Sequence, residues 1–213
     1  MMGSISVSLG LEVVSSHVLP HVVVLSKDPR FRVRKAVSSK LSTLLRVDRS
    51  NSEYVQSILE LFLALCRDEV WGVREGCLDA LVPLSLSVSN EIRTSKLVPV
   101  FETFVEDKSR WVRTHAFKIL GPFIASFKQC RLDPRLLMLY KTMGLSGRFG
   151  KDPDLLTICA YSFPAVLVTL GKDRWEELSE LYFDLCKVPQ WNTRKTLAHS
   201  IHEIARVVGR EVS

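Results

Sequence analysis

The sequence predicts an all-α fold made of about five antiparallel helix pairs stacked in a row. Three observations carry this. An Asp-x₄-Val-Arg core recurs every 39–40 residues, apolar residues follow each copy at the spacing of one helix face, and no window alternates apolar with polar as a half-buried strand does. A single pair carries too little apolar surface to stand alone, so each must bury its faces against the next.

The repeats fall at about 10–49, 50–90, 91–130, 131–172 and 173–213, as one array over 1–213. In the first, a helix over 10–26 leads to Asp28, Val33-Arg34 and a second helix marked by Ala36, Val37, Leu41, Leu44 and Leu45. In the second, a helix over 53–67 precedes Asp68, Val73-Arg74 and the series Cys77, Ala80, Leu81, Leu84. The third places a helix over 91–106 before Asp107, Val112-Arg113 and Ala116, Ile119, Leu120, Phe123, Ile124. The fourth, behind a helix over 133–145, is degenerate: Asp152 is kept, but Leu-Thr stands for Val-Arg. The fifth, behind a helix over 174–187, has Thr193-Arg194 followed by Leu197, Ile201, Ile204 and Val208. Pro29 and Pro189 fall in turns, where a missing N–H costs little, and Gly147-Arg148-Phe149-Gly150 reads as an ordinary turn. Pro83 and Pro122 lie about ten residues into their helices and predict either a bend or a helix that starts late, with Leu120-Gly121-Pro122 and Phe163-Pro164 favouring the bend.

The recurring Asp and Arg have a structural reading. The Asp is placed to cap the following helix by accepting N–H bonds. The Arg one turn later can meet the Asp of its own or the next repeat, each pair contributing about 0.5–1 kcal/mol when partly exposed. Arg34 is expected to be tied to Asp28.

Composition excludes several classes. Of 213 residues 46% are apolar and 24% charged, too apolar for a disordered chain. The best apolar runs, Tyr54–Cys66 and Phe163–Leu170, are too short or too polar to span a bilayer, so no membrane association is expected. Met1–Leu11 shows no basic segment before an apolar one, so no secretory signal is expected. None of Asn51, Asn90 and Asn192 stands in a glycosylation sequon. The five cysteines are scattered, without a C-x-x-C, and read as buried thiols in a reducing compartment. The expected location is cytoplasmic, extending to the nucleus.

The period and the Asp-x₄-Val-Arg core resemble HEAT repeats, which implies an α-solenoid wound as a right-handed superhelix. Two stretches resemble more closely the regulatory subunit 1 family of serine/threonine-protein phosphatase 4. One is Glu106-Asp107-Lys108-Ser109-Arg110-Trp111-Val112-Arg113 continuing to Ile124; the other runs from Tyr161-Ser162-Phe163-Pro164 through Trp175 to Gln190-Trp191-Asn192-Thr193-Arg194 and Glu203. Val33-Arg34-Lys35-Ala36 onward is also similar to the scaffold subunit of protein phosphatase 2A. The resemblance implies a non-catalytic regulatory or scaffold subunit. Its partners would be a phosphatase catalytic subunit and the phosphoproteins brought to it. Members of that family are much longer and carry an acidic insertion between repeats; Gln129–Asp133 here is short and basic.

In such a stack the turns within each pair form a ridge, and the resemblance assigns that ridge to partner binding. The turn before each Val-Arg core holds an aromatic: Phe31, Trp71, Trp111 and Trp191. Trp and Arg on an exposed ridge are common interface anchors. Trp71 and Trp191 are expected to be exposed, while Trp111, offset by one residue, and Phe31 are as well placed to pack on a neighbouring repeat. Arg30, Arg32 and Arg110 are the charged companions. The net charge, 29 − 23 = +6, is concentrated between Lys27 and Arg49, where eight bases face two acids. A nucleic-acid-binding or transport-adaptor role is the alternative reading, but no recognition motif supports nucleic acid as the expected partner.

No chemistry is expected. The histidines are His17, His21, His115, His199 and His202. A HEAT-repeat enzyme family, the deoxyhypusine hydroxylases, holds iron with several His-Glu pairs. This chain has one, His202-Glu203, and Val82-Pro83 and Gly121-Pro122 lack ligands at the matching positions. Three convergent ligands cannot be assembled, so no metal or cofactor site is expected. No nucleophile elbow, phosphate loop or kinase signature occurs either.

Overall fold

The computed structural model describes residues 14–49, 51–128, 130–144 and 153–209. All regular structure among these is helical: α1 (Leu19–Leu25), α2 (Phe31–Ser38), α3 (Leu41–Leu44), α4 (Ser52–Leu65), α5 (Trp71–Ser87), α6 (Asn90–Ile92), α7 (Val98–Val105), α8 (Arg110–Ala125), α9 (Pro134–Gly144), α10 (Pro153–Leu170), α11 (Glu176–Lys187), α12 (Trp191–His199) and α13 (Ile201–Val208). A π-helical turn, Val14–Val18, leads into α1, and another, Arg93–Leu97, joins α6 to α7. The helices succeed one another as pairs of an α-solenoid: α1 with α2–α3, α4 with α5, α6–α7 with α8, α9 with α10, α11 with α12–α13. Residues 10–13 of the expected first helix, Asp152 of the degenerate copy and the turn Gly147–Gly150 lie outside the described residues.

The chain divides into two compact units, Met1–Ala116 and Phe117–Ser213, with the boundary inside α8. In the first unit α4 turns Tyr54, Val55, Ile58, Leu59 and Phe62 inward, and α5 answers with Val73, Cys77, Leu81 and Leu84, all buried. Each Leu, Ile or Phe removed from water contributes about 1.5–3 kcal/mol. Tyr54 donates its hydroxyl to the Leu44 carbonyl at 2.9 Å, joining the first repeat to the second, and burial pushes its pKa up to about 12. Asn51 begins α4 by accepting the Tyr54 N–H at 3.0 Å.

In the second unit Tyr140 of α9 is fully buried and donates its hydroxyl to the Cys159 carbonyl of α10 at 2.6 Å. Tyr182 of α11 stacks at 5.6 Å between centroids on both Phe163 and Trp175. The Thr157 and Thr193 hydroxyls, 3.0 Å apart, join α10 to α12.

Two features refine the sequence reading of the second helices. First, α5 and α8 start at Trp71 and Arg110 and run unbroken through Pro83 and Pro122, so neither starts late. The carbonyls four residues before these prolines belong to Asp79 and Lys118, both exposed residues. Second, the helices that do break contain no proline. The α2–α3 break at Ser39-Lys40 follows Ser38 and Ser39, whose hydroxyls donate to the Lys35 and Ala36 carbonyls; at the α12–α13 break Ser200 donates to Leu197 at 2.9 Å. A serine bonded back to the preceding turn competes with the helical ladder.

Gly121 has a packing role. A Cβ there would collide with Ser162, and one at Gly76 would collide with Ser38, so these glycines let α8 approach α10 and α5 approach α2. The cysteines also split: Cys66, Cys77 and Cys159 are buried as expected, but Cys130 and Cys186 are exposed. Burial pushes the Cys159 thiol up to about 12. No described helix is long and apolar enough to cross a membrane.

Candidate partner-binding ridge

In the first three pairs the turn between the helices is built by the Asp and Arg of the motif. Asp28, Asp68 and Asp107 each accept a backbone N–H two residues on, from Arg30 (2.7 Å), Val70 (2.9 Å) and Ser109 (2.8 Å). These N–H groups precede the first helical residue. The aspartates therefore close the loop as Asx turns instead of capping the helix, and the N-cap positions Arg30 and Val70 carry no side-chain cap. Each motif arginine spends one nitrogen on its own loop: Nη1 of Arg34, Arg74, Arg113 and Arg194 donates to two consecutive turn carbonyls.

The remaining guanidinium face of Arg34 and of Arg74 crosses to the next repeat. Arg34 grips Asp68 at 2.6 and 3.0 Å, and Arg74 grips Asp107 at 2.7 and 2.8 Å. Arg34 thus reaches only the backbone of Asp28; its hydrogen-bonded carboxylate partner is Asp68, with Glu69 3.7 Å away. Burial opposes ionisation of Asp68, but the bonds from Arg34 and the Val70 N–H outweigh it and hold its pKa below the ordinary carboxylate value. Asp107 is held down in the same way, burial being overcome by Arg74 and the Ser109 N–H.

With the turns clamped, four of the five second helices start by pushing an aromatic outward. Phe31, Trp71 and Trp191 are the first residues of α2, α5 and α12, and Trp111 is the second of α8. All four are exposed, Phe31 and Trp71 at 43%, Trp191 at 62% and Trp111, the one with the offset register, at 68%. Exposure of Trp111 and Phe31 was open from sequence; the clamped turn decides it by directing the first helical turn to solvent. Arg30, Arg32 and Arg110 are exposed beside them.

The structure adds companions that the motif alignment passes over. Lys35, four residues after Phe31, holds its ammonium 5.8 Å from the Trp71 ring centroid, and Lys195, four after Trp191, sits 5.7 Å from that ring. Glu75, four after Trp71, meets His115, four after Trp111: His115 Nδ1 is 2.7 Å from Glu75, with Nε2 3.3 Å from Asp79. The i+4 spacing from each aromatic was the available signal, since those positions share a helix face. His199 and His202 are exposed, and among the described residues no three His, Cys, Asp or Glu side chains are grouped to hold a metal ion.

Comparison with known proteins points to one group. Residues 159–213 match the family model described as the protein phosphatase 4 regulatory subunit 1 middle domain. Human serine/threonine-protein phosphatase 4 regulatory subunit 1 is 47% identical over 60 residues, 28% of this chain and 6% of its own length. Human serine/threonine-protein phosphatase 4 regulatory subunit 4 is 24% identical over 239 aligned positions, covering 100% of this chain and 27% of its own length. The chain therefore spans only 6–27% of the length of these curated relatives. Among solved structures, the karyopherin Kap121p superposes with a TM-score of 0.67 at 18% identity, over 97% of this chain and 25% of that one, a likeness of fold alone. The resemblance to phosphatase 4 regulatory subunits is thus carried by the C-terminal quarter toward subunit 1 and by the whole chain toward subunit 4.

Proposed function

We propose that this chain acts as a non-catalytic regulatory or scaffold component of a phosphatase 4-like complex. It binds the serine/threonine phosphatase catalytic subunit through its exposed helix starts and directs that subunit to phosphoprotein substrates. The binding residues are Arg30, Phe31, Arg32, Trp71, Arg110 and Trp111 in the first unit and Trp191 in the second. The mechanism is positional: holding a phosphoprotein near the catalytic centre raises its effective concentration without new chemistry. The observation that carries this reading is the match of residues 159–213 to the subunit 1 middle domain, a segment that includes Trp191. The reading also places the chain in the cytoplasm, with access to the nucleus.

The test is co-purification. The tagged 213-residue chain should retain a phosphatase 4 catalytic subunit from cell extract, and purified catalytic subunit should bind it directly. A chain that is folded by circular dichroism yet retains no catalytic subunit in either format would refute the proposal.

A further inference from the structure

We infer that the first helix start, from Arg30 to Lys35 together with Trp71, is a docking site for a short acidic peptide segment of a partner protein. This rests on the partner-binding reading above and specifies the chemistry that the ridge receives at this end.

The charge balance around α2 changes once the structure assigns partners. Between Lys27 and Arg49 the sequence has eight bases and two acids. Both acids are engaged locally, Asp28 with the Arg30 N–H and Asp48 with the Asn51 N–H. One base, Arg34, is committed to Asp68. Arg30, Arg32 and Lys35 are exposed and hold no ion pair among the described residues. These cations flank two exposed rings, Phe31 and Trp71, and Lys35 is drawn over the Trp71 indole of the next repeat. Lys35 lies along the Gly72 backbone, where a Cβ would stand in ordinary van der Waals contact, 3.5 Å from both Cδ and Nζ. The result is a patch of ring, ammonium and ring, with two guanidinium groups at its edge. Carboxylates fit the cations, and an apolar side chain fits between the rings.

The size and polarity of the patch select a short peptide over nucleic acid. One and a half turns of helix and one interhelical step span roughly 12–15 Å, the reach of about four extended residues. Past Trp71 the same helix presents Glu75 and Asp79, one and two turns on, while Glu69 pairs with Arg34 at 3.7 Å. A longer polyanion would run into them.

The experiment uses the full 213-residue chain and a short fluorescein-labelled peptide of Asp and Glu around one Leu, read by fluorescence anisotropy. Binding should weaken as salt rises from about 50 to about 300 mM. The double variant Arg30→Glu, Arg32→Glu should weaken it at least ~10-fold, and Lys35→Gln about threefold or more. Both replacements are at exposed positions, Glu is tolerated at a helix start, and thermal melting verifies the fold. Unchanged affinity in both variants overturns the inference. So does equal binding of a Lys-for-acid peptide, or tighter binding of a single-stranded oligonucleotide of equal charge through the same residues. Catalytic-subunit retention is measured in parallel. Peptide binding that is lost on charge reversal supports the inference whether or not the catalytic subunit is retained; failure of wild-type retention alone refutes only the function proposed above.

Discussion

Arg74 joins three segments at once: Nε and Nη2 hold both carboxylate oxygens of Asp107 at 2.7 and 2.8 Å, while Nη1 donates to the Asp68 and Glu69 carbonyls. The side chains are 16% and 7% exposed, so the pair is shielded from solvent more than a surface ion pair. Arg74→Ala should cost about 1–3 kcal/mol, which for a chain of this size lowers the melting temperature by roughly 3–10 °C. Arg74→Lys should recover little of it, because an ammonium cannot serve the carboxylate and two carbonyls together. Urea unfolding distinguishes the two; a lysine variant as stable as wild type would mean that only the charge matters.

Asp68 and Asp107 also set a pH dependence. Their folded pKa values lie below the unfolded reference of 3.8, so the folded state favours the ionised form. That stabilisation is fully present above the unfolded pKa and disappears as pH falls through the folded pKa values. Stability should therefore decline as pH drops below about 4.5. In the Asp68→Asn, Asp107→Asn double variant the acid limb should be shallower and stability at neutral pH lower, as followed by urea midpoints across the acid range.

Gly121 faces Ser162 where α8 and α10 approach within the second unit. Gly121→Ala drives a methyl group into the serine and should destabilise by about 1–3 kcal/mol, although alanine is the better helix former. The double variant Gly121→Ala, Ser162→Gly removes the obstructing side chain and should restore most of the loss. Calorimetric melting of the two variants measures this; no rescue would place the cost elsewhere.

The exposed indoles separate binding from stability. Trp71→Ala, Trp111→Ala and Trp191→Ala should weaken catalytic-subunit retention while moving the melting temperature by no more than a few degrees, since each is exposed, Trp71 the least at 43%. Unfolding of any of them would show that its ring supports the core.

Thiol labelling tests the burial pattern directly. In the native chain Cys130 and Cys186 should react promptly with a thiol reagent, and Cys66, Cys77 and Cys159 only on unfolding. Burial also pushes the Cys66 thiol well above its ordinary pKa, which slows attack further. More than two promptly reactive thiols would contradict the packing of α4, α5 and α10.

Much of the fold was legible because a repeat states its own period. Asp28, Asp68 and Asp107 announce the turns, and the valines behind them announce the helix faces, so the pairs lie within a few residues of where the spacing puts them. The site was half legible. Phe31, Trp71, Trp111 and Trp191 stand out as aromatics in polar turns, but Lys35 and Lys195 look like ordinary surface lysines until the rings they cover are placed. The breaks at Ser39-Lys40 and Ser200 were hidden, because whether a serine bonds back to its helix depends on competing contacts.

The sequence by itself determined the all-helical class, the repeat length and the register of the turns, because local periodicity and turn chemistry act within one repeat. Only the tertiary structure decided which acid each arginine holds, which glycine is a contact and which thiol is open. Each of those depends on groups from two repeats, 33 to 41 residues apart, meeting at hydrogen-bond or van der Waals distance, or on how completely neighbouring helices cover a surface. The preference of Arg34 for Asp68 over Asp28 shows the reason. Asp28 is nearer in sequence, but Arg34 meets only its carbonyl, and Nε and Nη2 take the Asp68 carboxylate that the packed neighbour presents.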